Sequence, residues 1–385
     1  MKKGFYISLI GIAGLCLAAC GPAVSVETKD QTPTTAQIET VATEPVPDPV
    51  KPDLFEIDEK NFPDEIFRAY ISEYMDYDSD GSLNDKELKD AKAIQMNGDE
   101  ANQCKSLKGI ENFPNMEEIF VYNNGIQEID LSANKKVRTL VIESNNLSEL
   151  DVSCCPELQV LFCADNVDMD TIILDNPNLA QLSVSGCLFE KIDISKCPKL
   201  EYFECSDNYL TEIDLSHNQE LNNVHLADND ISEIDISNNL NLEYISLDNN
   251  PIKSIDVSAN AKLKSLDIQS TDVESLDLSN NPEFESLYMG DTKITEIDFS
   301  ANPKLDTFSC QDGNITELDL TNNPEMKYLF IQFLDLKELD ISNCEKLINL
   351  VENYEQDEID DRQSWDGFYD DAGQMMVPLK CKLIY

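Results

Sequence analysis

The sequence predicts a repeat fold, a solenoid of stacked short coils that is mostly β with tight turns, rather than a domain wrapped around one globular core. Three observations carry that prediction. A 21-residue pattern recurs without insertion, its copies beginning at Ile126, Leu147, Asp168, Phe189, Leu210, Ile231, Ile252, Val273, Ile294, Ile315 and Leu336. Position 6 of the unit (Leu131, Val152 and Ile173 through Ile341) and position 15 (Leu140 through Leu350) are apolar in all eleven copies. The unit is also too short to hold a helix beside its strand, so each copy reads as one strand, one turn and a second extended stretch.

Within the unit, positions 12, 15, 17, 20 and 22 read L-x-x-L-x-L-x-x-N-x-L, as in Leu242-Glu-Tyr-Ile245-Ser-Leu247-Asp-Asn-Asn250-Pro-Ile252. That is the leucine-rich-repeat signature. Over roughly residues 105–352 the chain resembles the short 21-residue leucine-rich repeats of internalin-like bacterial surface proteins. The segment Met116–Asn124 enters the same frame and brings the expected count to about twelve coils. The resemblance implies a coil stack that binds a protein or glycan partner, or mediates adhesion, at a bacterial surface.

The rest of the chain follows in order. At 385 residues and 41% hydrophobic composition there is material for a sizeable core. The formal charge of −47, from 75 acids against 28 Lys and Arg, excludes nucleic acid and an anionic lipid surface as partners, since a phosphate binder needs a basic patch. It favours cationic partners and metal ions. Residues 1–19 read as a secretory signal peptide, Met-Lys-Lys followed by an apolar run. The run is shorter than the roughly 20 residues a bilayer span needs. Leu17-Ala18-Ala19-Cys20 resembles the bacterial lipobox, which implies lipidation of Cys20 and a protein held at the outer face of the envelope, touching the membrane only through that anchor. Residues 20–54, rich in Pro, Thr, Val and acids, read as a disordered tether.

Residues 55–104 form a small N-terminal cap in this reading. Phe62–Met75 has helical spacing with Pro63 in the first turn. Asp76-Tyr-Asp78-Ser-Asp80-Gly81-Ser82-Leu83-Asn84-Asp-Lys-Glu87 then matches the twelve-residue EF-hand loop at each ligand position. Three carboxylates and the Ser82 carbonyl would surround a hard cation, Asn84 would act directly or through water, and Glu87 would close the shell with two oxygens. Gly81 permits the sharp turn, and Leu83 points into the core. The expected cofactor is one calcium ion that orders the cap, and the expected cap is helical, covering the apolar edge of the first coil.

In the solenoid, positions 1, 4, 6, 12, 15 and 17 are expected inside. Asparagine at positions 20 and 9 forms two buried structural columns, the first fading to Thr271, Thr292, Gly313 and Leu334. Position 5 is Asp in ten copies, Asp130 through Asp340. This column is either a cation-binding ridge or, the simpler reading, a set of acceptors for the Ser turn that follows each Asp. No C-x-x-C pair occurs, and Cys163, Cys205 and Cys310 fall at inward position 17, so buried free thiols are expected. Specificity is expected on the outward strand positions 14 and 16, at Phe120, Val141, Phe162, Tyr202, His225, Tyr244, Tyr288, Tyr328 and Phe330. Residues 353–385 read as an acidic C-terminal cap. With two histidines, one tryptophan, no phosphate loop and no nucleophile motif, the chain reads as a monomeric binding protein and not an enzyme.

Overall fold

The computed structural model describes residues 54–98, 102–331, 333–352, 368–369, 375–377 and 382–384. The signal peptide, Cys20 and residues 20–53 lie outside them. The described residues build a β-solenoid of the leucine-rich-repeat type, with few helices. Its spine is a 14-stranded sheet. Eleven of those strands, from Glu118–Tyr122 to Tyr328–Phe330, are the strand segments of successive repeats. They pair in parallel with a register step of 21, as in Tyr202↔Asn223↔Tyr244 and Phe203↔Val224↔Ile245. The middle residue of each of these strands is buried, and in most of them its neighbours are half-exposed, the alternation a two-residue side-chain period imposes; the small side chains Ser183, Ser246, Thr307 and Ser309 are buried as well.

Each strand ends in a residue with positive φ at position 19, such as Asp207 (54°), Asp228 (52°) and Asn249 (55°). Short polar side chains tolerate the left-handed region, and this turn sends the chain to the back of the coil. There position 20 takes over. Asn250 Nδ2 donates to Leu226 O (2.8 Å) and Leu247 O (3.1 Å), while its Oδ1 accepts from Ile231 N (3.0 Å). Thr271 and Thr292 retain one bond each, to Ile268 O and Met289 O. At position 9 the asparagine mostly uses only its donor: Asn239 Nδ2 bonds Leu215 O (3.1 Å) and Asn218 O (2.9 Å), and its buried Oδ1 has no partner, whereas the Oδ1 of Asn176 accepts from Asp175 N (3.0 Å). Cysteine can therefore replace it, and Cys344 Sγ points at Leu320 O and Asn323 O in the same way. The described cysteines are free, and all but Cys154 are buried.

Three expectations need correction. The count of about twelve coils is one too many within residues 118–330: the last copy does not form its strand, because Glu345–Glu352 is a helix, α3. Leu347 is buried and Ile348 half-buried on its inner side, and Ile348 N donates to Cys344 O (3.0 Å). The sheet continues instead with a strand from the tail, Met375–Val377, parallel to Tyr328–Phe330, and Lys382–Ile384 pairs with Glu338–Asp340. Second, Ile173 is not inward but 50% exposed. Glu149–Asp151 pairs with Thr171–Ile173 at a step of 22, so Ile173 stands opposite Asp151, and Met169 and Leu174 fill the core instead. A one-residue slip turns each side chain to the other face.

Third, the N-terminal cap is not purely helical. Helices α1 (Glu65–Tyr74) and α2 (Asp85–Asp90) are followed by Ala93–Asn97, which pairs over its whole length with Glu118–Tyr122 and is the end strand of the sheet. Ile94 and Met96 are buried while Ala93, Gln95 and Asn97 are exposed, so the segment has strand periodicity. Its outward amide is covered: Gln95 N donates to the Tyr70 hydroxyl on α1 (3.0 Å). Asp64 N-caps α1 through Ile66 N and Phe67 N and also accepts from Lys105 N (2.8 Å), tying the helix to the chain that enters the stack. Among the described residues no helix is long and apolar enough to cross a membrane.

Candidate functional sites: an acidic loop and the outer strand face

The loop Asp76–Glu87 runs from the end of α1 into α2. Asp76 and Glu87 are buried, and one carboxylate oxygen from each of Asp76, Asp78 and Asp80 lies within 4.8 Å of the others. The loop holds this shape through its own backbone. Asp76 accepts from Asp80 N (3.2 Å) and Gly81 N (2.9 Å), and Asp80 accepts from Ser82 N (2.9 Å). Glu87 bridges the two ends, its Oε1 taking Tyr77 N and its Oε2 taking Asn84 N, both at 2.8 Å. Asn84 is the N-cap of α2, its side chain accepting from Lys86 N and Glu87 N. Gly81 has φ of +84°, which a side chain would strain. Desolvation, and then the charges of Asp80 and Glu87, raise the Asp78 carboxyl. A cation among these oxygens would relieve that crowding.

Such loops commonly occur in pairs, and this one is braced by a strand instead. Ser82–Leu83 pairs antiparallel with Phe55–Glu56, and Ile57 N donates to Gly81 O (3.0 Å). Leu83 is fully buried. The oxygen set is hard and anionic, which suits calcium better than a soft metal.

The second candidate is the outer face of the sheet. The strands bring each of the nine expected side chains to it, all half-buried. Phe120, Val141 and Phe162 stand side by side on adjacent strands near the N-terminal end, with Phe120 beside Gln95 of the end strand. Tyr328 and Phe330 share a strand at the other end, where Lys327 Nζ lies 4.5 Å from the Tyr328 ring centre and Phe330 is paired with Met376. Tyr288 sits between Asp267 and Ser309. In the middle the register does what sequence spacing alone does not announce. The rings meet on the diagonal, position 14 (Tyr202) with position 16 of the next coil (His225) and that with position 14 of the coil after (Tyr244), so the three form a continuous row with ring centres 5.4 and 4.6 Å apart.

Carboxylates frame this row, and the sequence reading did not single them out. Glu204 accepts from Ser183 Oγ and from the Tyr202 hydroxyl, both at 2.9 Å. Asp248 accepts from Ser246 Oγ, and Asp267 from Gln269 N (3.1 Å). Burial, then Asp248, pushes the Asp267 carboxyl up to about 7. Burial holds the His225 imidazole below its ordinary value, and burial followed by Glu204 raises the Tyr202 hydroxyl. The signal was in the columns: Glu204 and Asp267 occupy position 16, and Asp248 occupies position 18 two residues beyond the strand's outward side chain.

The position 5 aspartates lie elsewhere and are occupied locally. Each accepts from the amide two residues on, as in Ser216 N to Asp214 and Ser237 N to Asp235, both 2.9 Å. The serine side chain and then this amide hold the Asp214 and Asp235 carboxyls below the ordinary value. A different exposed column appears at position 21, where Val167, Leu188 and Tyr209 are uncovered on three successive coils.

No protein-family model matches the chain, and neither does any curated protein. Solved structures do. The functional domain of InlJ from Listeria monocytogenes, described as including a cysteine ladder, matches with a TM-score of 0.58 and 24% identity, over 77% of this chain and 74% of that one. The internalin InlF from Listeria monocytogenes str. 4b F2365 matches with a TM-score of 0.62 and 22% identity, over 76% and 88%. YopM from Yersinia enterocolitica WA-314 matches with a TM-score of 0.58 and 21% identity, over 71% and 56%. At these identities the likeness is one of fold. In the present chain the thiols at position 17 do not follow one another, since Val184 stands between Cys163 and Cys205.

Proposed function

We propose that this chain is a surface-exposed binding protein, lipid-anchored through Cys20, whose solenoid presents its outer strand face to a protein or glycan partner while calcium orders the N-terminal cap. The observation that carries the reading is the row Tyr202, His225 and Tyr244 with its flanking carboxylates, a half-buried aromatic platform on a rigid sheet. Aromatic side chains fixed by a scaffold lose little entropy on contact and supply much of the binding energy at interfaces. The likeness in fold to internalins supports a binding role by analogy. Signal peptide, lipobox cysteine and tether support a position outside the membrane.

Calcium, when bound, supplies a charge that neutralises and fastens the loop. The residues that would hold it are Asp76, Asp78, Asp80, Ser82 through its carbonyl, Asn84 and Glu87. Single sites in extracellular modules work at roughly 10⁻⁴–10⁻³ M, and this loop belongs in that range. The function is tested by immobilising the full mature chain and a Tyr202→Ala/Tyr244→Ala double variant and exposing both to cell-envelope and host-surface extracts. A partner retained by the first and lost by the second supports the strand face. The absence of any partner above background favours an envelope spacer without a specific ligand.

A further inference from the structure

The strand face carries a sharper assignment than a generic ligand, resting on the reading that this face is the binding surface. In every coil the residues at positions 14, 16, 18 and 19 are the strand's outward side chains and the turn that follows them. From Glu118 to Tyr328 neither lysine nor arginine occurs at any of these positions. Cations begin one residue outside, at position 13, where Arg138 and Lys264 are already paired with Glu157 and Glu243 and Lys327 lies over the Tyr328 ring at the far end of the stack. Carboxylates stand freely on the face. Glu204, Asp248 and Asp267 take their hydrogen bonds from neutral groups, and among the described residues none of them is in an ion pair with a lysine or arginine. Elsewhere some acids are paired with lysine, as Asp272 with Lys293 and Glu325 with Lys346, and many, position 5 aspartates such as Asp214 and Asp235 among them, are not. What sets this face apart is that its carboxylates stand half-buried beside a row of rings, in columns without lysine or arginine.

We infer that this face docks a basic protein segment, whose lysine or arginine side chains lie over the Tyr202, His225 and Tyr244 rings and reach Glu204, Asp248 and Asp267. The pieces are complementary: flat rings attract a guanidinium or ammonium group, and half-buried carboxylates that lack a cation have a desolvation cost which a bound cation offsets. A glycan would need none of the cation exclusion seen in the columns. A cation at Asp267 also drives off the proton that burial retains there, so docking releases protons near neutral pH.

The test uses the full mature chain and fluorescent nona-arginine, with nona-glutamate and a set of neutral oligosaccharides as the other probes. A face variant, Glu204→Gln/Asp248→Asn/Asp267→Asn, is compared with a variant that removes the same charge from exposed acids away from the face, Glu212→Gln/Glu233→Gln/Glu296→Gln. Circular dichroism and melting confirm that both fold. The expected result is that nona-arginine binding weakens about tenfold or more in the face variant and less than about twofold in the other, with proton uptake by buffers of differing ionisation heat on binding to the parent chain only. Equal weakening in both variants overturns the inference, because the peptide then reads only net charge. An oligosaccharide that binds the parent chain and is lost with Tyr244→Ala but not with the face variant also overturns it, while leaving the strand face as the binding surface. Binding of no probe at that face overturns the inference and the broader reading together.

Discussion

Asparagine at position 20 satisfies an amide of one coil and carbonyls of two, so its loss orphans several buried groups at once. Each orphaned group costs about 1–3 kcal/mol, so Asn250→Ala should lower the urea midpoint by an amount corresponding to a few kcal/mol in total. Protonation divides the carboxylates into two groups of opposite sign. Hydrogen bonds from the serine turns depress Asp214, Asp235 and Asp256, so their contribution is complete above the unfolded value near pH 4 and disappears as pH falls through the lower folded values. Asp267, raised to about 7, acts the other way: its contribution is complete below about pH 4 and is lost as pH rises toward and past 7. Urea midpoints of the parent chain and Asp267→Asn, measured from pH 5 to 8, should therefore diverge with rising pH in favour of the variant.

Added strands close the ends of the stack, Ala93–Asn97 at one and Met375–Val377 with the edge strand Phe368–Tyr369 at the other, and each closure can be opened. The strand Ala93–Asn97 reaches the sheet only through the loop and α2, and its outward amide is held by Tyr70. If calcium orders that loop, adding it at millimolar concentration raises the melting temperature of the full chain, and Glu87→Gln removes most of the increase; an equal increase in the variant would count against the site. At the other end Met375–Val377 covers the strand Tyr328–Phe330. Truncation after residue 370 leaves that strand's amides and carbonyls unpaired, and an uncovered edge pairs with other chains. Size-exclusion chromatography should show concentration-dependent association of the truncated chain and none of the parent. Both closing strands were hard to read beforehand. Ala93–Asn97 is a short alternating segment between helical patterns, and Met375–Val377 lies outside the repeat frame, so periodicity pointed to neither.

Across the molecule the repeat makes stability a sum over neighbours, with every coil buried by the two beside it. Removing one whole unit, Ile231–Pro251, should leave a folded protein with a modestly lower melting temperature. Removing 20 residues of it leaves one extra residue that must bulge at the junction, as the step of 22 at Ile173 does, and should lower the melting temperature further than removing all 21. That dependence on register is why so much was legible in the sequence. A fixed 21-residue period with apolar positions in frame dictates strand, turn, core and Asn columns locally, because each side chain's surroundings repeat with the chain itself. The gathering of Asp76, Asp78 and Asp80 in one loop was legible for the same reason, since their spacing is local. Tertiary structure alone decided what depends on contacts between distant segments or on departures from the period. It set the one-residue slip that exposes Ile173, turned the last copy into α3, and brought a tail strand back to close the sheet. It also joined Tyr202, His225 and Tyr244 into one row with Glu204, Asp248 and Asp267, since neighbours across parallel strands are fixed by stacking and not by order along the chain.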